Sequence, residues 1–354
     1  MAKDLIIYGA YGYTGELIAR HAVAKGLKPL LAGRDANKLQ PLAKELGLEF
    51  KAFSIDDTKT LDECLQGAKV MLHCAGPFIH TYKPMMQACL KAGVHYLDIT
   101  GEMKVFEAMN RKTEDAKAAG IMFMPGCGFD VVPSDCLANM LKARMPDAQY
   151  LEMAFASAGR SSRGTQKTII EGLHEGSAIR ENGQIKAIAA GSDTKQINFG
   201  DGKAIWAVAI PWGDVSTAWF STQIPNIKVY MALPEKVIKS MKLMGYFSFL
   251  TKLGFVKNML IKKVNSGPAG PTEAQRDSGK IKLWGEVKNS TGVSKQLWLT
   301  VPEGYKLTYL TAVDIAEKVL NGNFKTGFQT PASAYGAEFI LQFEGTKLKE
   351  SGQQ

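Results

Sequence analysis

The sequence predicts an α/β fold: a Rossmann-type doubly wound parallel sheet over residues 1–146, then an α+β domain with a mostly antiparallel sheet over residues 147–354. Three observations carry this. The apolar run Leu5 to Tyr8 enters glycines spaced G-x-x-G-x-x-G at Gly9, Gly12 and Gly15, and a helix-forming segment follows. Short apolar runs then alternate with helical patterns, which implies a parallel sheet covered on both faces. Beyond residue 147, strand-like runs follow one another with few helices between them, the pattern of an α+β domain.

In chain order, the strands expected in the first domain are Leu5–Gly9, Pro29–Gly33, Leu48–Phe53, Val70–Cys74, Tyr96–Thr100 and Ile121–Met124. The clearest helical patterns are Thr14–Lys25, Ala36–Leu46, Met85–Ala92 and Lys104–Ala119. In the second domain, strands are expected at Tyr150–Ala156, Ala204–Ile210, Thr217–Thr222 and Ile227–Leu233. A hairpin follows, Ile281–Val287 with Gln296–Val301, turning around Asn289–Gly292. Helices are expected at Thr165–His174, Thr311–Asn321 and Ser333–Leu341. The C-terminal helices are candidates to pack back on the first domain. Residues Ile281, Leu283 and Val287 share one face of the hairpin, and Trp284 and Trp298 fall on the other. Burying those tryptophans requires a covering helix, a substrate wall or a subunit interface.

A strand turning sharply into a helix leaves unpaired N–H groups at the helix start, where the macrodipole adds positive charge. Gly9 permits the tight turn, Gly12 allows a phosphate to approach the backbone, and Gly15 permits close helix–strand packing. Gly9, Tyr11, Gly12, Tyr13, Thr14 and Gly15 are therefore candidate ligands of a dinucleotide pyrophosphate. The second strand ends Leu31-Ala32-Gly33-Arg34-Asp35. Arg34 stands where a guanidinium can pair with a 2′-phosphate, so NADP is the expected cofactor. NAD is the alternative if Asp35 points inward to a ribose hydroxyl.

Ligands of open α/β sheets bind beyond the carboxyl ends of the strands. Three glycine-bearing loops lie there: Ala75-Gly76-Pro77-Phe78-Ile79-His80, Thr100-Gly101-Glu102, and Pro125 through Asp130. Ala75, Gly76, Pro77, Phe78, Thr100 and Gly101 are further candidate cofactor contacts. Tyr82 is a candidate proton donor, and Asp130 a candidate acid/base or orienting group. Cys127, between two glycines, is a candidate reactive thiol, with a buried neutral thiol as the alternative.

Composition removes several classes. Hydrophobic content of 45% and charged content of 22% are those of a soluble globular protein. The five cysteines contain no C-x-x-C pair, as expected for reduced thiols in a cytoplasmic protein, and the five histidines have no metal-ligand spacing. No signal peptide or membrane-spanning run is visible. The net charge of +9 is concentrated: residues 236–263 hold seven lysines and no acid, so the surplus does not indicate nucleic acid. That segment, interrupted by Gly245 and Gly254 and rich in Met, Phe and Leu, is a candidate cover, a contact for an acidic carrier domain or peripheral membrane surface, or a plain solvated edge of the second domain.

The motifs also resemble a known family. Gly9-Ala-Tyr-Gly-Tyr-Thr-Gly15, Ala32-Gly-Arg34, Gly76-Pro-Phe78 and Tyr96-Leu-Asp-Ile-Thr-Gly-Glu102 resemble the saccharopine dehydrogenase-like superfamily. Cys127-Gly-Phe-Asp-Val-Val-Pro-Ser-Asp135, Ser162-Arg-Gly-Thr165, Gly267-Pro-Ala-Gly-Pro271 and Thr330-Pro-Ala-Ser-Ala334 are similar to the branch that holds the trans-acting enoyl reductases. The resemblance implies an N-terminal NAD(P)-binding domain and hydride transfer. In that branch it implies reduction of a carbon–carbon double bond on a carrier-tethered chain, whereas saccharopine reductases join an amino acid to an aldehyde through an imine. Residues 147–354 contain four arginines (160, 163, 180 and 276), few for a substrate with several carboxylates. An acyl substrate is therefore expected, with an imine reductase or a non-catalytic NADP-binding sensor as the alternatives. A homo-oligomer is also expected.

Overall fold

Residues 3–157, 159, 161–172, 176–246 and 254–350 are described in this computed structural model of the chain. The first stretch runs β1 (Leu5–Tyr8), α1 (Tyr13–Ala24), β2 (Leu30–Gly33), α2 (Ala36–Leu46), β3 (Phe50–Ala52), α3 (Thr58–Leu65), β4 (Val70–His73) and α4 (Phe78–Ala92). It continues with β5 (His95–Asp98), α5 (Met103–Asn110), α6 (Thr113–Ala118) and β6 (Met122–Met124). The one helix expected over Lys104–Ala119 is broken at Arg111–Lys112, where Thr113 Oγ1 donates to Asn110 O at 2.7 Å. Helix α3 has no counterpart among the expected elements; Asp57 caps it by accepting from the Thr60 amide at 3.1 Å.

The chain then builds α7 (Val132–Arg144), β7 (Tyr150–Ser157), α8 (Arg163–Gly172), β8 (Ser177–Glu181), β9 (Gln184–Ile188), β10 (Thr194–Asn198) and β11 (Ala204–Ala209). Next come α9 (Asp214–Thr222), β12 (Asn226–Ala232), α10 (Glu235–Tyr246), α11 (Gly254–Ser266), α12 (Glu273–Ser278), β13 (Lys280–Lys288) and β14 (Ser294–Pro302). It ends with α13 (Gly304–Leu320), β15 (Gly327–Phe328), α14 (Pro331–Tyr335), a 3₁₀ turn over Ala337–Gln342 and β16 (Lys347–Glu350). The helix expected over Ser333–Leu341 is interrupted at Gly336, whose φ is +92°.

The segment Thr217–Thr222, expected as a strand, lies in helix α9. Its β-branched and aromatic residues favour strand, but packing overrides propensity. Val215, Ser216, Thr217 and Ala218 are all buried, and Thr222 Oγ1 returns a hydrogen bond to Ala218 O.

Two compact units result. Unit 1 is Met1–Asp130 with Tyr305–Ala334, and unit 2 is Val131–Gly304 with Tyr335–Gln354. The chain thus first crosses after Asp130 rather than at residue 146. Helix α7 explains the difference: nine of its residues are buried within unit 2, and Leu137 and Leu141 pack so closely on Gly285 that a Cβ there would lie 2.6 Å from Leu141 Cδ1.

Unit 1 holds seven parallel strands in the order β15-β6-β5-β4-β1-β2-β3. Ile6, Ile7, Leu31, Val70, Leu72 and Leu97 are fully buried, as expected for strands covered on both faces. Unit 2 is built on a nine-stranded sheet, β10-β11-β12-β7-β13-β14-β16, with β8 attached to β12 and β9 to β8. The β12–β7 pair is parallel and the other pairings are antiparallel.

Trp284 and Trp298 are paired across β13 and β14 and join a cluster with Ala154, Ile197, Phe199, Ala207 and Tyr230. The chain covers this face with strand β10 and the turn after it, not with a helix. Trp298 Nε1 donates to Asn198 O at 2.9 Å, and Gly200 packs against the same indole.

Candidate cofactor and active site

Strand β1 is flanked by β2 and β4, pairing Tyr8 with Ala32 on one side and His73 on the other. The glycine turn therefore emerges in mid-sheet. Gly9 has φ +84°, its amide donates to Ala32 O at 2.8 Å, and a Cβ on it would lie 2.9 Å from the Ala75 nitrogen. Gly12 is the N-cap of α1, and no side chain caps that helix. A Cβ on Gly15 would overlap the Gly9 carbonyl oxygen. The amides of Thr14 and Gly15 find no acceptor among the described residues. Open donors at an uncapped helix start, with no side chains in the way, fit a pyrophosphate. Tyr11 lies against Gly33, with the Lys38 ammonium 5.5 Å from its ring centroid. Tyr13 meets Tyr305 of α13 edge-on, the ring centroids 5.1 Å apart.

Arg34 follows β2, exposed, and forms no hydrogen bond or ion pair among the described residues. Asp35 is otherwise engaged: it caps α2 by accepting from the Asn37 amide at 3.1 Å and pairs with Lys38 at 3.3 Å. A carboxylate held at a helix N-terminus does not point inward to a ribose.

The strand ends of β4, β5 and β6 bring together the three glycine-bearing loops. Thr81 Oγ1 donates to Ala75 O at 2.8 Å and lies 2.9 Å from His73 Nε2. Because the hydroxyl proton is directed at Ala75, the imidazole is assigned as the Nε2–H tautomer. His73 is fully buried, and burial holds its pKa down to about 3. Its Nδ1 has no partner among the described residues. The peptide bond Gly76–Pro77 is cis.

Glu102 crosses to the start of α4, where it accepts from the Phe78 amide at 2.7 Å and the Ile79 amide at 2.8 Å. Asp98, wholly buried, accepts from the Thr100 and Gly126 amides at 2.9 Å each and from the Tyr96 hydroxyl at 2.7 Å. It thereby ties the loops after β5 and β6 together. Burial pushes its pKa up to about 7, against the opposing effect of those donors.

Asp130 lies half-buried against Gly101, where a Cβ would be 2.9 Å from its Oδ2. Burial first, and then the Glu102 charge, push its pKa up to about 7. Tyr82 sits in α4, half-buried, with no hydrogen bond among the described residues. Cys127 is buried, and burial with the nearby Asp98 charge raises its pKa, so it is a neutral thiol and a poor nucleophile.

Unit 1 thus gathers the candidates Gly9, Tyr11, Gly12, Tyr13, Thr14, Gly15, Arg34, Ala75–Phe78, Tyr82, Thr100, Gly101 and Asp130. Sequence reasoning did not single out Asp98, His73 and Tyr305, and named Glu102 only as a loop residue. The basic segment is described in part, residues 247–253 lying outside the described residues. Among the described residues no group of histidine, cysteine or carboxylate side chains is arranged to hold a metal, and no helix is long and apolar enough to cross a membrane.

Comparison with known proteins bears on this site. Residues 5–124 match the family model of the saccharopine dehydrogenase NADP binding domain. A probable mitochondrial saccharopine dehydrogenase-like oxidoreductase of Arabidopsis thaliana is 24% identical, over 99% of this chain and 95% of its own. A trans-acting enoyl reductase of Mycobacterium tuberculosis is 32% identical over 149 residues, 40% of this chain and 36% of that protein. A lipid droplet localized protein of Caenorhabditis elegans is 27% identical over 52% of this chain and 47% of its own, so both matches span less than half of the relative. Among solved structures, the L-Glu-forming saccharopine dehydrogenase of Saccharomyces cerevisiae has the same fold, with a TM-score of 0.67 at 12% identity over 98% of this chain and 99% of that one.

Proposed function

We propose that the chain, whose residues 5–124 match the saccharopine dehydrogenase NADP binding domain and which is similar over nearly its full length to a saccharopine dehydrogenase-like oxidoreductase, is an NADP-dependent reductase acting on an activated double bond of an acyl substrate. Bound NADPH supplies the hydride. The residues of the chain bind, orient and protonate. The turn Gly9–Gly15 receives the pyrophosphate, Arg34 the 2′-phosphate, and Ala75–Phe78 with Thr100 and Gly101 border the nicotinamide. Burial, and then the Glu102 charge, push the Asp130 pKa up to about 7, which suits a donor to the carbon next to the acyl carbonyl, and Tyr82 is the second candidate.

One observation carries the choice of substrate class. Three of the four arginines in the second half donate to backbone carbonyls: Arg163 Nε to Gly267 O at 2.9 Å, Arg180 Nε to Val215 O at 2.8 Å, and Arg276 Nη1 to Pro271 O at 3.0 Å. Arg160 lies outside the described residues. Guanidinium groups committed to bracing loops are poorly placed to grip a substrate with several carboxylates. That favours an acyl chain, free or carrier-tethered, over saccharopine. The likeness to the trans-acting enoyl reductases, over part of the chain, points the same way.

All five cysteines are free thiols, which supports a reducing compartment such as the cytoplasm. The test is NADPH oxidation with enoyl N-acetylcysteamine thioesters, set against an amino acid plus an aldehyde. Turnover of the thioesters is the expected result. Turnover of the imine-forming pair alone would replace this reading with the saccharopine-type one, and binding of NADPH without any turnover would favour a sensor.

A further inference from the structure

We propose that His73 and Thr81 are positioning residues for the cofactor: together they fix the Ala75–Gly76 peptide so that the Gly76 amide is offered to the nicotinamide half of NADPH, a role that rests on the reading of the Ala75–Phe78 turn as the border of the nicotinamide.

Two hydrogen bonds in series carry the effect. His73 is the last residue of β4, fully buried, with its ring set among three aromatic neighbours. Phe78 meets it edge-on with centroids 5.3 Å apart, and Tyr8 and Tyr96 lie at 5.7 and 6.3 Å. The ring is therefore held in one orientation, with Nε2 2.9 Å from Thr81 Oγ1. Thr81 stands in the first turn of α4, where a threonine hydroxyl ordinarily returns its proton to the carbonyl four residues back. That carbonyl, Pro77 O, is at 3.4 Å, and Ala75 O, outside the helix, is nearer at 2.8 Å. With the imidazole donating to its oxygen, the Thr81 hydroxyl directs its own proton at Ala75.

His73 itself delivers no proton to substrate. A second N–H at Nδ1 would have no acceptor among the described residues, and burial keeps the ring neutral at physiological pH. Nε2 thus remains a donor, and the direction of the chain His73–Thr81–Ala75 does not reverse.

The consequence appears at the turn. A peptide group is planar and trans, so its N–H points away from its C=O. With the Ala75 carbonyl held towards α4, the Gly76 amide points the opposite way. Gly76 is exposed, and its amide finds no acceptor among the described residues. The same peptide unit is pinned on its other side: the Ala75 nitrogen and methyl lie so near Gly9 that a Cβ there would be 2.9 Å from each. The far end of the turn is held separately, by Glu102 accepting from the Phe78 and Ile79 amides. The open donor therefore stands beside the first glycine of the dinucleotide turn, on a peptide that cannot rotate away.

The test compares two ligands, NADPH and 2′-phospho-ADP-ribose, which keeps the pyrophosphate and the 2′-phosphate but lacks the nicotinamide. Loss of general foldedness weakens both alike, whereas a misdirected Gly76 amide weakens NADPH alone. By calorimetric titration, Thr81→Val should bind NADPH about tenfold more weakly, the loss of roughly one hydrogen bond, and 2′-phospho-ADP-ribose nearly as the wild type does. Thr81→Ser should restore the wild-type ratio of the two affinities. His73→Gln places an amide nitrogen near the Nε2 position and should keep more of the ratio than His73→Phe. A ratio unmoved by Thr81→Val overturns the proposal. Should the valine variant fail to fold, the wild type still decides: nitrogen NMR of 15N-histidine-labelled protein, with His73→Gln assigning the signal, should show Nε2 protonated and Nδ1 bare from about pH 5 to 9. A proton on Nδ1 in that range overturns the chain. Wild-type protein that binds both ligands equally would instead remove the nicotinamide from this turn, and absence of thioester reduction would count against the reductase assignment alone.

Discussion

Thr308 Oγ1 accepts a hydrogen bond from the Phe129 amide at 3.0 Å, across 179 residues of sequence within one structural unit. Three residues on, Thr311 Oγ1 donates to Cys127 O at 2.8 Å. Between the two anchors, Gly128 leaves only enough room for Thr308, whose Cγ2 would lie 2.8 Å from a Cβ there. Helix α13 thus returns to seat the loop that ends in Asp130, and its Tyr305 also reaches Tyr13 of the glycine turn. A segment near the end of the chain therefore shapes the site built by its beginning.

Thr308→Val leaves the Phe129 amide without an acceptor in a largely buried place. A loss of about 1–3 kcal/mol in urea unfolding is expected, the range for a buried donor left unsatisfied. Thr308→Ser restores the acceptor and should recover most of that loss. Equal stability of the valine and serine variants would show that the hydrogen bond is not what holds the loop.

The glycines of the opening turn should separate into two kinds. Alanine at Gly15 drives a Cβ into the Gly9 carbonyl, so Gly15→Ala is expected to cost about 1–3 kcal/mol of stability as overpacking, and NADPH binding with it. Alanine at Gly12 meets its nearest atom at 3.2 Å, and the φ of −69° suits any residue. Gly12→Ala should therefore cost less stability than Gly15→Ala and yet bind NADPH at least about tenfold more weakly, its methyl standing where a phosphate approaches. Fluorescence titration of NADPH beside thermal unfolding distinguishes the two; equal losses of both kinds at both positions would contradict the geometry.

The dinucleotide turn and the alternation of parallel strands with helices were legible because local residues determine them: an apolar run, glycines at fixed offsets, then a helix start. The hairpin β13–β14 was legible from its alternating faces. Helix α9 was not, since Val215 to Thr222 favour strand locally and only burial against the rest of unit 2 makes them helical. The cover over Trp284 and Trp298 was equally hidden: it is Asn198 and Gly200, about 100 residues away, and no periodicity connects them. Among the site residues, Arg34 was visible by its offset from the glycines. Glu102, Asp98 and Thr308 act through partners 24 to 179 residues distant, which a single sequence does not pair.

Asp98 should leave a signature in the pH dependence of stability. Its folded pKa, about 7, is raised above the unfolded value near 3.9. The folded state therefore binds its proton more tightly than the unfolded state between these values. The associated stability is fully present below about pH 4 and is lost as pH rises through about 7. Asp98→Asn keeps an acceptor for the Thr100 and Gly126 amides and removes the titration. Relative to the variant, the wild type should lose up to about 1.4 kcal/mol per pH unit between pH 5 and 7. Urea denaturation at pH 5, 6, 7 and 8 measures the difference, and parallel curves for the two proteins would mean that Asp98 does not titrate in this range.

Arg34 and Asp35 give the sharpest test of cofactor choice, because adjacent residues are assigned unrelated tasks. Arg34 is exposed at the end of β2 and has no protein partner among the described residues, so its guanidinium is available to a 2′-phosphate. Arg34→Ala should weaken NADPH binding by roughly 10- to 100-fold, the loss of one charge-assisted pair of about 1.5–3 kcal/mol, and leave NADH nearly unchanged. Asp35 caps α2, so Asp35→Ala should cost about 1 kcal/mol of stability. It should not alter the ratio of NADPH to NADH affinity. A variant at Asp35 that discriminated against NADH would show that its carboxylate leaves the helix cap to meet the ribose. Equal weakening of both cofactors by Arg34→Ala would remove Arg34 from the phosphate.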